Sequence, residues 1–284
     1  MSIAKKSSPR GIYIPNKLRV IVNDQIFKTV ASPPAAAAPQ VHSAIVVSIN
    51  SRSSKSNCQG CNLRKMCLPS GLTLDESKQV DTMFTSRRQV KKGHLLICSG
   101  EKFTSLFVIC TGFFKSYVVL ESGNQQVTGF RMAGEMLGLD GIASNQHTSN
   151  VIALEDAEVC TMPFHRVEKI VRDVSLMQIQ LYKILSREIF FESETKLMLG
   201  MRAEVRLVAF LLNLVDRLHA RGLSQWVVVL RMTRQEIGSY LGIRPETVSR
   251  IFSKLTKQGM LEVDHRVIRI LRTDLLCDLA DHLA

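Results

Sequence analysis

Three of the seven cysteines crowd into one polar, glycine-bearing stretch as Cys58-x2-Cys61-x5-Cys67, while Cys98, Cys110, Cys160 and Cys277 are scattered. Thiolates are soft donors, and a CxxC step is a common half-site for zinc or for an iron–sulfur cluster. Three donors close neither a tetrahedral site nor a cubane, so a fourth ligand must come from elsewhere, either a scattered cysteine or a histidine. In the alternating run Ala157-Glu158-Val159-Cys160-Thr161-Met162, Cys160 shares a face with Glu158 and opposes Val159, which points it out of the strand layer. Cys110 ends an unbroken apolar strand and Cys98 ends Leu95-Leu96-Ile97, positions that suit buried, inert thiols, and Cys277 falls in a terminal helix. Residue types and spacing leave three chemistries open: an iron–sulfur site, a zinc site and a dithiol switch. An odd, unevenly spread set of cysteines is unlike the disulfide framework of a secreted protein and fits the reduced thiols of a cytoplasmic one.

A second set of residues is built to read a duplex. Thr233-Arg234-Gln235-Glu236 is a capping box, in which the hydroxyl and the carboxylate each satisfy an orphan backbone donor at a helix start. Two helical turns later Gly242 supplies a left-handed residue, and Pro245 stands at the first position of the next helix, where its missing N–H costs nothing. Ile237, Leu241, Ile243, Val248 and Ile251 take the inner apolar positions of a helix-turn-helix, with small Gly238 where the two helices cross. On the second helix Glu246, Ser249 and Arg250 stand at i, i+3 and i+4, opposite Val248, Ile251 and Leu255. An arginine can bond guanine O6 and N7 together, a glutamate can accept from the cytosine amino group, and a serine hydroxyl can donate or accept. The same spacing also permits a Glu246–Arg250 surface ion pair, contributing only tenths of a kcal/mol. Arg234, Arg244, Lys254 and Lys257 flank the helix as candidate phosphate contacts, which set affinity and salt dependence but not sequence choice. Beyond Gly259, two alternating runs around Asp264-His265-Arg266 predict a hairpin wing, with a third strand over residues 227–230.

These groups need elements to hold them. From Val90 to Pro163 short Val-, Ile-, Phe- and Thr-rich runs alternate with glycine-bearing turns, the pattern of an antiparallel barrel or roll. After Pro163 the period becomes helical. Met177, Leu181, Ile184, Glu188, Phe191, Thr195 and Met198 recur at steps of four and three, the seam of a coiled coil, and a homodimer is expected to form along it. A helix from Arg202 to His219 follows and opens the C-terminal domain. Residues 1–72 carry ten Lys/Arg against a single acid, Asp24, so most of the net charge of +12 belongs to a low-complexity extension and not to the reading helix. No run of eighteen apolar residues crosses a membrane. No nucleophile–base pairing, phosphate loop or placed carboxylate pair points to an enzyme.

In this order, cysteine cluster, strand-rich domain, long helix and winged helix-turn-helix, the chain resembles the FNR branch of the CRP/FNR transcription regulators, the oxygen-responsive fumarate and nitrate reduction regulators. The most specific points of likeness are Cys58, Cys61 and Cys67 followed by Cys160 in Val159-Cys160-Thr161-Met162-Pro163-Phe164, and Glu246-Thr247-Val248-Ser249-Arg250. Composition reads residues 1–56 as a disordered basic extension; the resemblance, over residues 57–284, implies an α+β chain: 57–173 the cysteine cluster and a cyclic-nucleotide-binding-like β-roll sensory domain, 174–201 a dimerisation helix, and 202–284 the winged helix-turn-helix. It implies further that Cys58, Cys61, Cys67 and Cys160 ligate an oxygen-labile [4Fe–4S] cluster, and that the cluster-loaded homodimer binds double-stranded DNA at TTGAT-type half-sites. Arg250 would then read guanine, Glu246 cytosine, and Ser249 would contact thymine. A loop like Glu121-Ser122-Gly123-Asn124 faces RNA polymerase in the family. A zinc- or dithiol-based switch of the same fold is the alternative. The cyclic-AMP branch uses an Arg-Ser pair on the roll, whereas the corresponding Asn145-Gln146-His147-Thr148-Ser149 offers no cation for a cyclic phosphate, so no cyclic nucleotide is expected. Two features depart from the family: the longer basic extension, and Arg244 where a Ser or Thr cap is usual.

Overall fold

The computed structural model describes Cys61 and residues 63–282; the basic extension and Cys58 lie outside the described residues. Helices α1 (Arg64–Cys67) and α2 (Leu74–Asp81) lead into eight strands, β1 (Ser86–Val90), β2 (Leu95–Ile97), β3 (Ser105–Thr111), β4 (Phe113–Val119), β5 (Gln125–Met132), β6 (Met136–Leu137), β7 (Asn150–Ala153) and β8 (Ala157–Pro163). They form two antiparallel four-stranded sheets in the orders β1-β8-β3-β6 and β2-β7-β4-β5. Alternation turns Ile97, Ile109, Phe114, Val151 and Val159 into the space between the sheets. The outer face of the first sheet is apolar as well: Leu106, Val108, Cys160 and Met162 are covered by Leu68, Val80 and Phe84 and by Val167 and Ile170 of α3 (Phe164–Asp173). Strand β1 was not legible from periodicity. Its Ser-Arg-Arg-Gln run is a charged edge strand held by its ladder to β8.

Helix α4 (Ser175–Leu199) runs for 25 residues. The seam residues Leu181, Ile184, Glu188, Phe191, Thr195 and Met198 are half-buried. Glu188 accepts from Arg131 of β5 at 2.6 Å, the Thr195 and Tyr240 hydroxyls lie 3.0 Å apart, and Phe191 and Met198 border a small cavity with Phe130 and Phe210. A different stripe, Ile179, Tyr182, Ile189, Phe190 and Leu197, is left exposed. The helix is apolar on two faces, and the period alone does not say which one meets the roll. Helix α4 also carries Glu194, a buried carboxyl whose pKa desolvation pushes up to about 7.

The C-terminal part consists of α5 (Ala203–His219), β9 (Val227–Val229), α6 (Arg234–Leu241), α7 (Pro245–Lys257), β10 (Leu261–Asp264), β11 (Val267–Ile270) and α8 (Thr273–His282), with a sheet in the order β10-β11-β9. Its core joins Leu211 and Leu214 of α5, Ile237 of α6, Val248 and Leu255 of α7 and Ile268 of β11. The same cluster takes in Val127, Phe130 and Met132 from β5 of the roll. Among the described residues no helix is long and apolar enough to cross a membrane.

Candidate cysteine site and DNA-reading face

Cys61, Cys67, Cys110 and Cys160 border one cavity, walled by Leu63, Leu68, Phe84 and Val108. Cys67 is the last residue of α1, and Cys160 projects from the outer face of β8, where the covering helices leave it only 5% exposed. Cys110 is not an inert core thiol. On β3 it shares the outward face with Leu106 and Val108, and the ladder to β8 pairs Ile109 with Val159 and then Thr111 with Glu158, so Cys110 is the extra residue of a bulge. That places its Sγ 3.0 Å from Cys160 Sγ. The hydrogen bond from Cys110 lowers the Cys160 pKa, with Arg87 adding to it against burial; the same bond and its own burial raise that of Cys110. Cys98 and Cys277 lie elsewhere, Cys98 against Glu101 and Cys277 on the C-terminal core.

The charges around this cavity suit an anionic thiolate group. Arg87 is desolvated, yet Cys110, Cys160, Glu158 and Cys61 hold its pKa up, and its Nε is buried with no hydrogen-bond partner among the described residues. Arg64, on the cavity wall, has an Nη1 in the same condition. Both guanidiniums also face carboxylates, Arg87 with Glu158 at 3.5 Å and Arg64 with Asp81 at 3.7 Å; their buried N–H groups without a hydrogen bond, beside soft sulfur donors, are of the kind that tunes sulfur-ligated iron or zinc. Among the described residues the thiols are not already drawn into a metal-holding group. Cys58 lies three positions before Cys61, outside the described residues.

The second site is the helix-turn-helix. Thr233 and Glu236 form the reciprocal capping box, Gly242 has φ 63°, and Pro245 opens α7 behind an N-cap Arg244 that makes no side-chain cap bond. A Cβ at Gly238 would stand 2.5 Å from the Ile243 carbonyl oxygen, so the helix crossing requires glycine. Glu246, Ser249 and Arg250 are exposed on one face of α7, with Val248, Ile251 and Leu255 buried on the other. Arg250 donates to Thr247 Oγ1 at 3.2 Å, where the spacing had also allowed Glu246, and the Ser249 hydroxyl donates to the Pro245 carbonyl. Of the flanking cations Arg244 and Lys257 are exposed. Lys254 pairs with Glu204 of α5 at 2.7 Å, and the Arg234 guanidinium stacks 3.6 Å from the Phe252 ring centre, so these two also tie helices together.

The family model described as Crp-like helix-turn-helix domain matches residues 205–279, and the one described as Cyclic nucleotide-binding domain matches residues 87–173. Over 227 residues, 80% of this chain, the sequence is 37% identical to the fumarate and nitrate reduction regulatory protein of Escherichia coli K12, covering 91% of that protein. The chain belongs to the CRP/FNR family. Within it the likeness is to the FNR type: the transcriptional activator protein Anr of Pseudomonas aeruginosa is 34% identical over 80% of this chain and 93% of its own length. The solved structure of FixK2 from Bradyrhizobium japonicum superposes with a TM-score of 0.64 at 27% identity, covering 69% of this chain and 96% of that one. This CRP/FNR protein is therefore a DNA-binding transcription regulator and not an enzyme, as the sequence resemblance implied.

Polar ties run from the roll of this FNR-type regulator to its reading domain. Glu135, in the turn after β5, accepts from Arg217 of α5 and from Arg221 just beyond its end, each at 2.6 Å, and these cations hold its pKa down against burial. The preceding Gly134 lies against Met66, the neighbour of Cys67. Lys115 of β4 donates to Glu236 at 2.8 Å, so one carboxylate serves both the capping box and the domain junction. The Val127 N–H donates to the Ser239 hydroxyl at 2.9 Å, and Gln126 donates to the Ser239 carbonyl. Sequence reasoning missed these ties because they join residues far apart in the chain, 82 positions for Glu135–Arg217 and 121 for Lys115–Glu236, with no local pattern. Within the roll, the Asp140 carboxylate accepts from the Thr148 and Ser149 amides at 2.9 and 3.0 Å and from both hydroxyls.

Proposed function

We propose that this regulator senses oxygen through a [4Fe–4S] cluster held by Cys58, Cys61, Cys67 and Cys160, and that as a homodimer it binds a palindrome of TTGAT-type half-sites. The observation that carries this reading is that Cys61, Cys67 and Cys160 line one cavity on the outer face of the β3–β8 pair, near Arg64 and Arg87. When bound, the cluster would supply an oxygen-labile centre whose loss reports the gas. The protein's own part is mechanical and electrostatic. Leu63, Leu68 and Phe84 keep water from the thiols, Arg64 and Arg87 compensate their negative charge, and α1 holds Cys67 against the Met66–Gly134–Glu135 turn that grips α5. A change in how α1 sits is thereby felt two contacts away at the helix that carries the reading domain.

At the DNA, Arg250 reads guanine, Glu246 cytosine and Ser249 thymine, while Arg244 and Lys257 contact phosphates. The partner protomer packs on the exposed stripe of Ile179, Tyr182, Ile189, Phe190 and Leu197, because Glu188, Phe191, Thr195 and Met198 of the other face are already engaged by the chain's own body. The Asp140 carboxylate takes the amides and hydroxyls that an anionic phosphate would seek on the roll, which favours a regulator without a cyclic-nucleotide ligand. The loop after β4, residues 121–124, is the surface offered to RNA polymerase.

Protein purified without oxygen should be brown, with about four iron and four sulfide per chain. Colourless, zinc-loaded protein would overturn the cluster reading in favour of the zinc alternative. The sulfur contact of Cys110 with Cys160 specifically favours a dithiol chemistry at the same place.

A further inference from the structure

Cys110 is the one thiol of the cavity that the cluster reading does not use. A bulge residue is re-aimed relative to a regular ladder, and here the extra residue of β3 is turned onto the neighbour strand's cysteine. Regular diagonal neighbours on adjacent strands stand about 7 Å apart at Cβ. Cys110 and Cys160 instead bring their sulfurs to 3.0 Å, so a side-chain rotation of roughly 1 Å reaches the 2.05 Å bond length of a disulfide. Cys110 is flanked on β3 by the ladder pairs Ile109–Val159 and Thr111–Glu158, and Cys160 itself pairs with Val108, so the two sulfurs meet across strands that are already in register. Cys110 is the more exposed of the two and opens toward the cavity, which gives a small reagent its point of entry.

We propose that Cys110 and Cys160 are a redox-modification site that closes to a disulfide when a low-molecular-weight disulfide reaches the metal-free protein. The Cys160 thiolate, which Cys110 hydrogen-bonds across the 3.0 Å contact, attacks one sulfur of the reagent and expels the first thiolate, leaving a mixed disulfide on Cys160. Cys110 then loses its proton and attacks Cys160 Sγ, expelling the second thiolate. The two protein thiols give up two electrons and two protons, and the reagent leaves as two thiols, so the exchange balances. Because Cys160 is the ligand that the proposed cluster takes from the roll, the closed bond withholds it from metal until a thiol reductant reverses the exchange, and it spares Cys160 irreversible oxidation. This inference rests on the cysteine site but not on the identity of the metal.

The test uses the full chain, stripped of metal under anaerobic conditions, titrated with oxidised glutathione and mapped by mass spectrometry after alkylation. Cys110 and Cys160 fall in different tryptic peptides, residues 103–115 and 132–166, so the bond appears as a linked pair of peptides. The linked pair should form first among all cysteine pairings and vanish on adding dithiothreitol. In Cys110→Ser the link should be lost and glutathione should remain on Cys160, a readout that a folding defect does not mimic because circular dichroism of the variant checks the fold. Cross-linking of Cys160 to Cys58, Cys61 or Cys67 in place of Cys110, or persistent glutathione on both thiols without a bond between them, would overturn the proposal. Metal-loaded protein, carried in parallel, should resist cross-linking. If loaded, brown protein cross-links as readily as stripped protein, the assignment of Cys160 as ligand fails and the pair stands.

Discussion

Gly238→Ala puts the geometry of the reading domain to a test whose sign follows from the structure. In an ordinary helix the change would stabilise by about 1 kcal/mol, because alanine loses less backbone entropy. Here the new methyl group would stand 2.5 Å from the Ile243 carbonyl oxygen, against an ordinary C···O separation of about 3.3 Å, so α6 and the turn into α7 must part by roughly 0.8 Å. Overpacking of this kind costs about 1–3 kcal/mol. The Ile243 N–H to Gly238 carbonyl bond, 2.9 Å long, is strained with it, adding about 1 kcal/mol. The net expectation is a loss of about 1–3 kcal/mol, visible as a fall of roughly 5 °C in the melting temperature. The larger effect should be on binding. Productive side chains are held to within about 0.5 Å, so a shift of this size at the start of α7 moves Glu246, Ser249 and Arg250 off the base edges. Fluorescence anisotropy on a labelled TTGAT palindrome and on a scrambled duplex should show at least a roughly tenfold loss on the palindrome, about 1.4 kcal/mol, and little change on the scrambled control. A variant that melts as high as the parent and binds the palindrome unchanged would refute the tight crossing.

Two further perturbations follow from named residues. Arg250→Ala should cost about 1–3 kcal/mol on the palindrome and relax the choice at one base pair, whereas Lys257→Ala should weaken palindrome and scrambled duplex alike and flatten the salt dependence by about one charge; binding isotherms at several salt concentrations separate the two. Glu194 is neutral in the fold up to about pH 7 but ionises near pH 4.5 when unfolded, so the unfolded state sheds its proton first and stability falls as pH rises between these values. Glu194→Gln should therefore raise the melting temperature at pH 8 and leave it nearly unchanged at pH 4; equal shifts at both would show that desolvation of the carboxylate is not the cause.

The helix-turn-helix was legible because its signals are local: Thr233 with Glu236, then Gly242, then Pro245, each within one or two turns of the feature it creates. The strands of the roll other than β1 and the two-residue β6 were legible for a similar reason, since each β-branched run ends at a turn. Direction across the sheets was harder. Cys160 follows simple alternation and was placed correctly on the outer face, but the contact made by Cys110 depends on a bulge that only the pairing with β8 defines. Helix α4 has apolar residues on two faces, and the partner of each is set by the roll and not by the helix. Arg234 looks in sequence like any exposed cation beside a reading helix; its stacking on Phe252 needs both helices in place.

The buried cluster that unites Val127, Phe130 and Met132 of β5 with α5, α6 and α7 bears on how such regulators can be taken apart and recombined. A segment beginning at residue 202 would leave behind three side chains, each stabilising by about 1.5–3 kcal/mol when fully buried. It would bare Phe210 and Tyr240, which pack on Phe130. Grafted onto a foreign sensor, it would arrive with one wall missing and would aggregate or need a substitute. The transferable unit is the reading domain together with the β4–β5 hairpin, and a working chimera must carry that hairpin or rebuild its apolar face.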